Sequence, residues 1–522
     1  MRLSIPDPPP LRAGGGWIRA LYSDEPYNTK LPLHTGERTG MRGFSGEGHV
    51  RMKEGKRACG RDGNDLMEVS QEAVLTYGPI GKMLARLTAP MILGTMAIAT
   101  FYLADSFFLG RLGTLPLAAI GFSMPVIIII TGISFGIGGG VSATLSRAIG
   151  GEDKDQVRHL TADSLLLTLL IAIILSVTGI VTINPVFQLL GATQVTMPFI
   201  RQYMTILYGG ILFIFVQAVL NDVFRATGDM VTPSILLVAA TVMNFLLDPL
   251  LIFGLGPFPR WEMTGAALAT VISLAIPPPV SLLILHLRKT PPVFARPKLR
   301  TIRNSWKKVL YIGLPSAITN SLMPIGFGVI TKLTAAYGPI QVAALGVGTQ
   351  IDGLVMTILT ALATVIGPYI GQNIGAGKLD RVRKGLRYAQ LFSIAWGLGM
   401  ILTLNLTSRS IAFLFSDDPQ LISDIRIYLL VVPPGLGFRG LLMLSNAALN
   451  VFFRPIQASS LTLEEIFLFT IPLACFGSRF LGLYGIFGSI AAGRTAAGII
   501  AFFWLQRVLN IEEGLSRPSG RS

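Results

Sequence analysis

The sequence predicts an all-α polytopic membrane protein: twelve transmembrane helices in two six-helix bundles, related by a pseudo-two-fold along the membrane normal. Three observations carry this. Apolar residues make up 51% of the 522-residue chain and charged residues 14%, where soluble chains carry about 25% charge. The apolar letters gather in runs of roughly 20 residues, the length that crosses a bilayer as a helix. The second half also repeats the first at an offset of 225 residues. Gly113-Thr-Leu-Pro-Leu-Ala-Ala-Ile-Gly121 matches Gly338-Pro-Ile-Gln-Val-Ala-Ala-Leu-Gly346, and Ile149–Arg158 matches Ile374–Arg383 without a gap. Each half holds six spans, an even number, so both halves share one orientation and leave a cleft between them. That plan suits alternating access.

Residues 1–78 are rich in Gly, Pro, Arg and Lys and lack an apolar h-region, so they are not a signal peptide. They read as a disordered basic tail at an anionic membrane face, or as residues preceding a true start at Met67. The first bundle, 79–286, has spans at 87–110, 117–145, 160–182, 199–221, 232–254 and 264–286. A basic linker follows at 287–307. The second bundle, 308–508, has spans at 308–334, 341–370, 386–406, 425–448, 457–477 and 484–508, and 509–522 form a tail. Pro90, Pro125, Pro249, Pro315, Pro324 and Pro368 each remove a helix donor and favour a kink. Ile276-Pro-Pro-Pro-Val280 should break the end of span 6.

Lys and Arg collect after spans 2, 6 and 8, while the loop after span 9 carries Asp417 and Asp418. The positive-inside rule then places even-numbered loops and both termini in the cytoplasm, with the protein in the cell membrane. The net charge of +15 is thereby explained by topology, and no nucleic-acid partner is expected. Cys59 lies in the tail and Cys475 in an apolar span. His34, His49, His159 and His286 lie in the tail or at helix ends. No zinc or haem ligand spacing results, and no cofactor is expected beyond a coupling ion. Surrounding lipid and a small amphipathic solute are the expected partners of a monomer.

Polar groups inside the first half fall at one depth. Asn244 and Asp248 are spaced i, i+4 and share a face of span 5. An ionised carboxylate at membrane depth costs about 2.5–3.5 kcal/mol on insertion scales. It persists when it faces a cavity, a partner or a cation; a packing role bonded to Asn244 is the alternative. Asp105 and Asp248 lie about six residues from the outer ends of spans 1 and 5, and Thr270 about six into span 6, so each is roughly 9 Å deep. Such oxygen ligands suit sodium, a hard cation, or equally a proton. The second half differs, with Thr470 roughly where Asp248 stands. Gln350 and Asp352 in span 8 are candidates for the substrate cleft, Asp352 meeting a cationic substrate. Arg439 in span 10 is expected to pair with Glu464 or Glu465 as a structural ion pair, and is the chief basic group within the membrane.

Leu103-Ala-Asp-Ser-Phe-Phe-Leu-Gly-Arg-Leu-Gly113, Ser146-Arg-Ala-Ile-Gly150, Asn221–Pro233 and Asn244–Pro249, in this order, resemble the multidrug and toxic compound extrusion (MATE) family over about residues 80–508. The resemblance implies a cation-coupled antiporter that exports organic cations or other amphipathic compounds. It implies a coupling-ion site at Asp105, Asn244, Asp248 and Thr270 in the N-terminal bundle, and Pro90 as a hinge of helix 1. The acids that another branch carries in helices 7 and 10 are missing, with Arg439 in span 10 instead. A flippase for a lipid-linked precursor is the alternative, expected to need a basic cleft. An intramembrane prenyl transferase would need more acid than Asp417-Asp418 supplies.

Overall fold

A computed structural model describes residues 73–255, 257–288 and 299–516. Among these, every element is helical. The first half runs α1 (Ile80–Gly110), α2 (Thr114–Gly150), α3 (Lys154–Leu189), α4 (Met197–Thr227), α5 (Val231–Phe253), α6 (Glu262–Ala275) and α7 (Pro277–Arg288). The second runs α8 (Leu299–Ala335), α9 (Pro339–Gly375), α10 (Leu379–Phe413), α11 (Pro419–Val431), α12 (Leu436–Val451), α13 (Pro455–Leu463), a π-helical turn at Glu464–Thr470 and α14 (Ile471–Ser516).

Among the described residues, eleven helical segments are long and apolar enough to cross a membrane, but the last, Pro455–Gly514, holds two crossings. Gly482 at φ 58° turns the chain back on itself. Gly477 then packs on Gly485, and Gly493 on Thr470, as an antiparallel hairpin requires. Twelve spans result among the described residues. The proline run breaks span 6 at Ile276, between α6 and α7. Span 10 is broken as well, by a 3-10 turn at Pro433–Gly435, which its unbroken hydropathy concealed.

The repeat is visible in backbone geometry. Gly113 and Gly338 precede α2 and α9 with φ of 134° and 128°, values that suit glycine alone. Asp153 and Asp418 cap α3 and α11 with side-chain bonds to backbone N–H groups. Asp418 is therefore a helix cap rather than part of a metal motif.

The two bundles join at the end that carries the basic loops. There one apolar core takes Leu84, Met91 and Met230 from the first bundle with Leu362, Ile366 and Leu449 from the second. Toward the opposite end each bundle has a core of its own. Gly132, Gly136 and Gly140 bring α2 against Asn320, Ala317 and Val309 of α8, the small-residue contact that membrane helices use for close packing.

Three expected boundaries move. Residues 73–78 are not part of a disordered tail; Leu75 and Thr76 are buried at the seam. The Leu75 N–H donates to Gln372 Oε1 at 2.9 Å, and Asn373 and Arg381 bond the carbonyls of residues 75, 77 and 78. Residues 299–307 are helix rather than linker. Ser305 and Trp306 fasten them to Asp163 of α3, a packing that hydropathy does not register. The final helix likewise runs to Ser516, with Arg383 paired to Glu513. The remainder of the tail, 1–72, of the linker, 289–298, and residues 517–522 lie outside the described residues.

Candidate functional site

The layer predicted in the first bundle assembles around α1 and α5. Those helices are pinned together: Thr241 donates to the Ala97 carbonyl at 3.1 Å, and Gly94 sits on Ser234. Phe108 of α1 packs against Phe245 and Phe253 of α5 beside the acids. Burial is near complete, with Asp105 3% exposed, Thr270 5%, and Asn244 and Asp248 0%.

Asn244 Nδ2 donates to Asp248 Oδ1 at 3.3 Å, as the i, i+4 spacing requires. Asp248 also lies within electrostatic reach of Asp105. Four oxygens in this group, Asp105 Oδ1, Asn244 Oδ1, Asp248 Oδ2 and Thr270 Oγ1, are buried without a hydrogen-bond partner. Buried polar atoms are normally bonded, so each such atom asks for an explanation. Four together, all oxygens and two of them carboxylate, make a donor set for a hard monovalent cation or for protons. Thr270 is eight residues into α6, because that helix starts at Glu262.

Tyr203 was not anticipated. Its hydroxyl donates to Asp105 Oδ2 at 3.3 Å from α4. It lies six residues into α4 from the same end, so the depth argument that selected the acids also covers it. A cavity opens beside Asp105, Tyr203 and Thr270 and descends past Gln217 and Asn221 to the Asp222–Arg225 pair. Asn244 and Asp248 stand behind its wall. Pro90 lies within an α1 that stays helical through it.

In the second bundle the expectations divide. Arg439 does pair with one of the two glutamates, Glu465. Gln350 is exposed on α9. Asp352 is not a free acid awaiting a cation, because Arg494 grips both its oxygens, at 2.8 and 2.7 Å. Arg439 is thus not the chief basic group at this depth. The signal that points to Arg494 is an arginine near the middle of span 12, a charge that at such depth needs an acid to compensate it.

Two repeated six-helix bundles around a cleft, one with carboxylates buried in its wall, define a polytopic membrane transporter. The MatE family model matches residues 90–250 and again 315–476, one copy in each bundle. The chain belongs to the MATE family. A FAD transporter of Shewanella oneidensis is 35% identical over 434 residues, covering 83% of this chain and 96% of that protein. The probable multidrug resistance protein YoeA of Bacillus subtilis is 26% identical over 362 residues, covering 68% and 78%. The crystal structure of the Vibrio cholerae MATE transporter VcmN in the bent form matches with a TM-score of 0.78 at 26% identity, covering 84% of this chain and 98% of that one. The protein is accordingly a multi-pass membrane transporter of small molecules and not an enzyme.

Proposed function

We propose that the protein is a cation-coupled antiporter that exports an amphipathic compound across the cell membrane by alternating access. Asp105, Asn244, Asp248 and Thr270 bind the coupling ion, sodium or a proton, and Tyr203 orients Asp105. The observation that carries this reading is the group of four buried, partnerless oxygens, with Asn244 one helical turn from Asp248. With the basic-loop end cytoplasmic, the joined seam closes the cleft to the inside and leaves the ion site reachable from outside. Ion entry neutralises the acids, changes how α1 packs on α5 with Pro90 as the hinge, and favours outward release of cargo. The protein works as a monomer among membrane lipids.

The similarity to a FAD transporter makes flavin adenine dinucleotide the cargo to test first. A specific observation favours it over an organic cation: Asp352, the acid expected to meet a cation, is already held by Arg494. The test is efflux from proteoliposomes under a sodium or a proton gradient, each imposed alone, with the flavin or a cationic dye inside. Efflux driven by one gradient supports antiport and names the ion. Absence of efflux for both cargoes, from a folded preparation, overturns it and brings lipid flipping forward.

A further inference from the structure

Four charged side chains meet inside the second bundle, each from a different segment: Asp352 of α9, Arg439 of α12, Glu465 of the π-turn and Arg494 of α14. Their local structure is built for this. The Thr470 hydroxyl donates to the Glu465 carbonyl at 2.7 Å across the π-turn, and π-turns recur at functional sites. Gly493, with no side chain, lets the strand of helix bearing Arg494 lie directly on Thr470 and the Glu465 carbonyl. Three of the four side chains keep some exposure: 13% for Asp352, 14% for Arg494 and 20% for Arg439.

Their place in the repeat is informative. The 225-residue offset puts Asp352 and Arg439 where Ile127 and Ile214 stand in the first bundle. Both isoleucines line the first-bundle cavity. The charged set therefore occupies the wall that is the counterpart of that cavity, turned from apolar to ionic. Four charges sum to zero, so the wall tolerates burial without a ligand.

We propose that Arg494 and Arg439 bind the anionic, phosphate-bearing end of the cargo, with Asp352 and Glu465 holding the two guanidinium planes in position. A guanidinium carries five N–H donors. Asp352 takes one from each terminal nitrogen of Arg494, and Glu465 engages one nitrogen of Arg439. The other donors can reach an anion in the cleft, and the planar fork that fits a carboxylate also fits phosphate. A cationic cargo gains nothing here, because each acid is already committed to an arginine. The two walls divide the work, the first bundle taking the coupling cation and the second the anionic cargo. This inference rests on the transport reading above.

The test uses flavin fluorescence to measure binding of flavin adenine dinucleotide and of riboflavin, the same ring without phosphate, by the purified full-length protein. Gradient-driven transport is measured in parallel. The wild type should prefer the dinucleotide by at least about 10-fold, and Arg494→Gln and Arg439→Gln should each remove most of that preference while riboflavin binding stays unchanged. Arg494→Lys, which keeps the charge and loses the fork, covers the case in which the glutamine variants fail to fold. It should fall between wild type and Arg494→Gln. Asp352→Asn, which leaves Arg494 its charge and an amide oxygen to bond, should keep part of the dinucleotide preference, whereas a purely structural ion pair would make it as damaging as Arg494→Gln. An unchanged preference in folded arginine variants, or no preference in the wild type, overturns the proposal. Preference without gradient-driven transport would uphold the anion site and overturn the antiport reading instead.

Discussion

Tyr203 reaches from α4 to Asp105 on α1 and donates to one carboxylate oxygen at 3.3 Å, leaving the other buried and partnerless. One oxygen is fixed so that the second is presented. Tyr203→Phe keeps the ring and removes only the donor. If sodium is the ion, its half-saturating concentration should then rise about 10-fold as an oriented ligand is lost, the effect of roughly 1.4 kcal/mol. Proton binding should instead tighten, because the charged carboxylate loses a donor, with thermal stability little changed in either case. Ion titrations of transport check this.

At the seam, a Cβ on Gly136 would come 2.5 Å from the Ala317 backbone nitrogen, whereas one on Gly139 would meet nothing within 4 Å. Gly136→Val should destabilise the protein by about 1–3 kcal/mol through overpacking. Gly139→Ala should be neutral or slightly stabilising. Thermal unfolding in detergent compares them.

Gln372 joins three segments. Its Oε1 accepts from Leu75 and its Nε2 donates to the Ala226 carbonyl at 2.7 Å. Gln372→Ala strands a buried N–H and a buried carbonyl, so a loss of roughly 1–3 kcal/mol is expected. Because Ala226 and Gln372 belong to different bundles, the variant should also label faster at a cysteine placed in the seam. Unfolding and labelling rates measure the two effects.

Asp229, in the loop between α4 and α5, accepts from the N–H groups of Val231 and Thr232 and from Arg288. Burial pushes its carboxyl upward, but the Thr232 and Arg288 bonds outweigh that and hold it below the usual carboxylate value. A depressed folded value means that the stabilisation is present above the unfolded value, about 3.9, and is lost as pH falls through the folded one. Asp229→Ala should cost on the order of 1 kcal/mol at pH 7, as loss of a helix cap does. The gap between variant and wild type should narrow as pH falls through the depressed folded value, which pH-dependent unfolding reads directly.

Much of this was legible in the chain. Hydropathy locates spans because lipid allows few alternatives to an apolar helix, and the 225-residue repeat pairs the bundles before any coordinate is known. Asp105 and Asp248 stand out because an acid at membrane depth is costly, Thr270 because its depth agrees with theirs, and Asn244 because it shares a helix face with Asp248 one turn away. Tyr203 escaped because a tyrosine in an apolar span carries no such cost. Arg494 escaped because its partner, Asp352, lies 142 residues away and only folding joins them. The helical run at 299–307 and the seam segment at 73–78 are polar pieces ordered by tertiary hydrogen bonds, which no local pattern encodes.

In the proposed mechanism, cargo and coupling ion are obligatorily exchanged through the first-bundle acids. Reciprocal flux tests it most directly. Proteoliposomes loaded with the coupling ion and an indicator for it are given cargo on the outside, with no ion gradient imposed. Cargo entry should drive ion exit in the wild type, and Asp248→Asn should abolish the ion flux while leaving cargo binding intact. Cargo entry without ion movement in the wild type, or an unaltered ion flux in Asp248→Asn, would contradict the account.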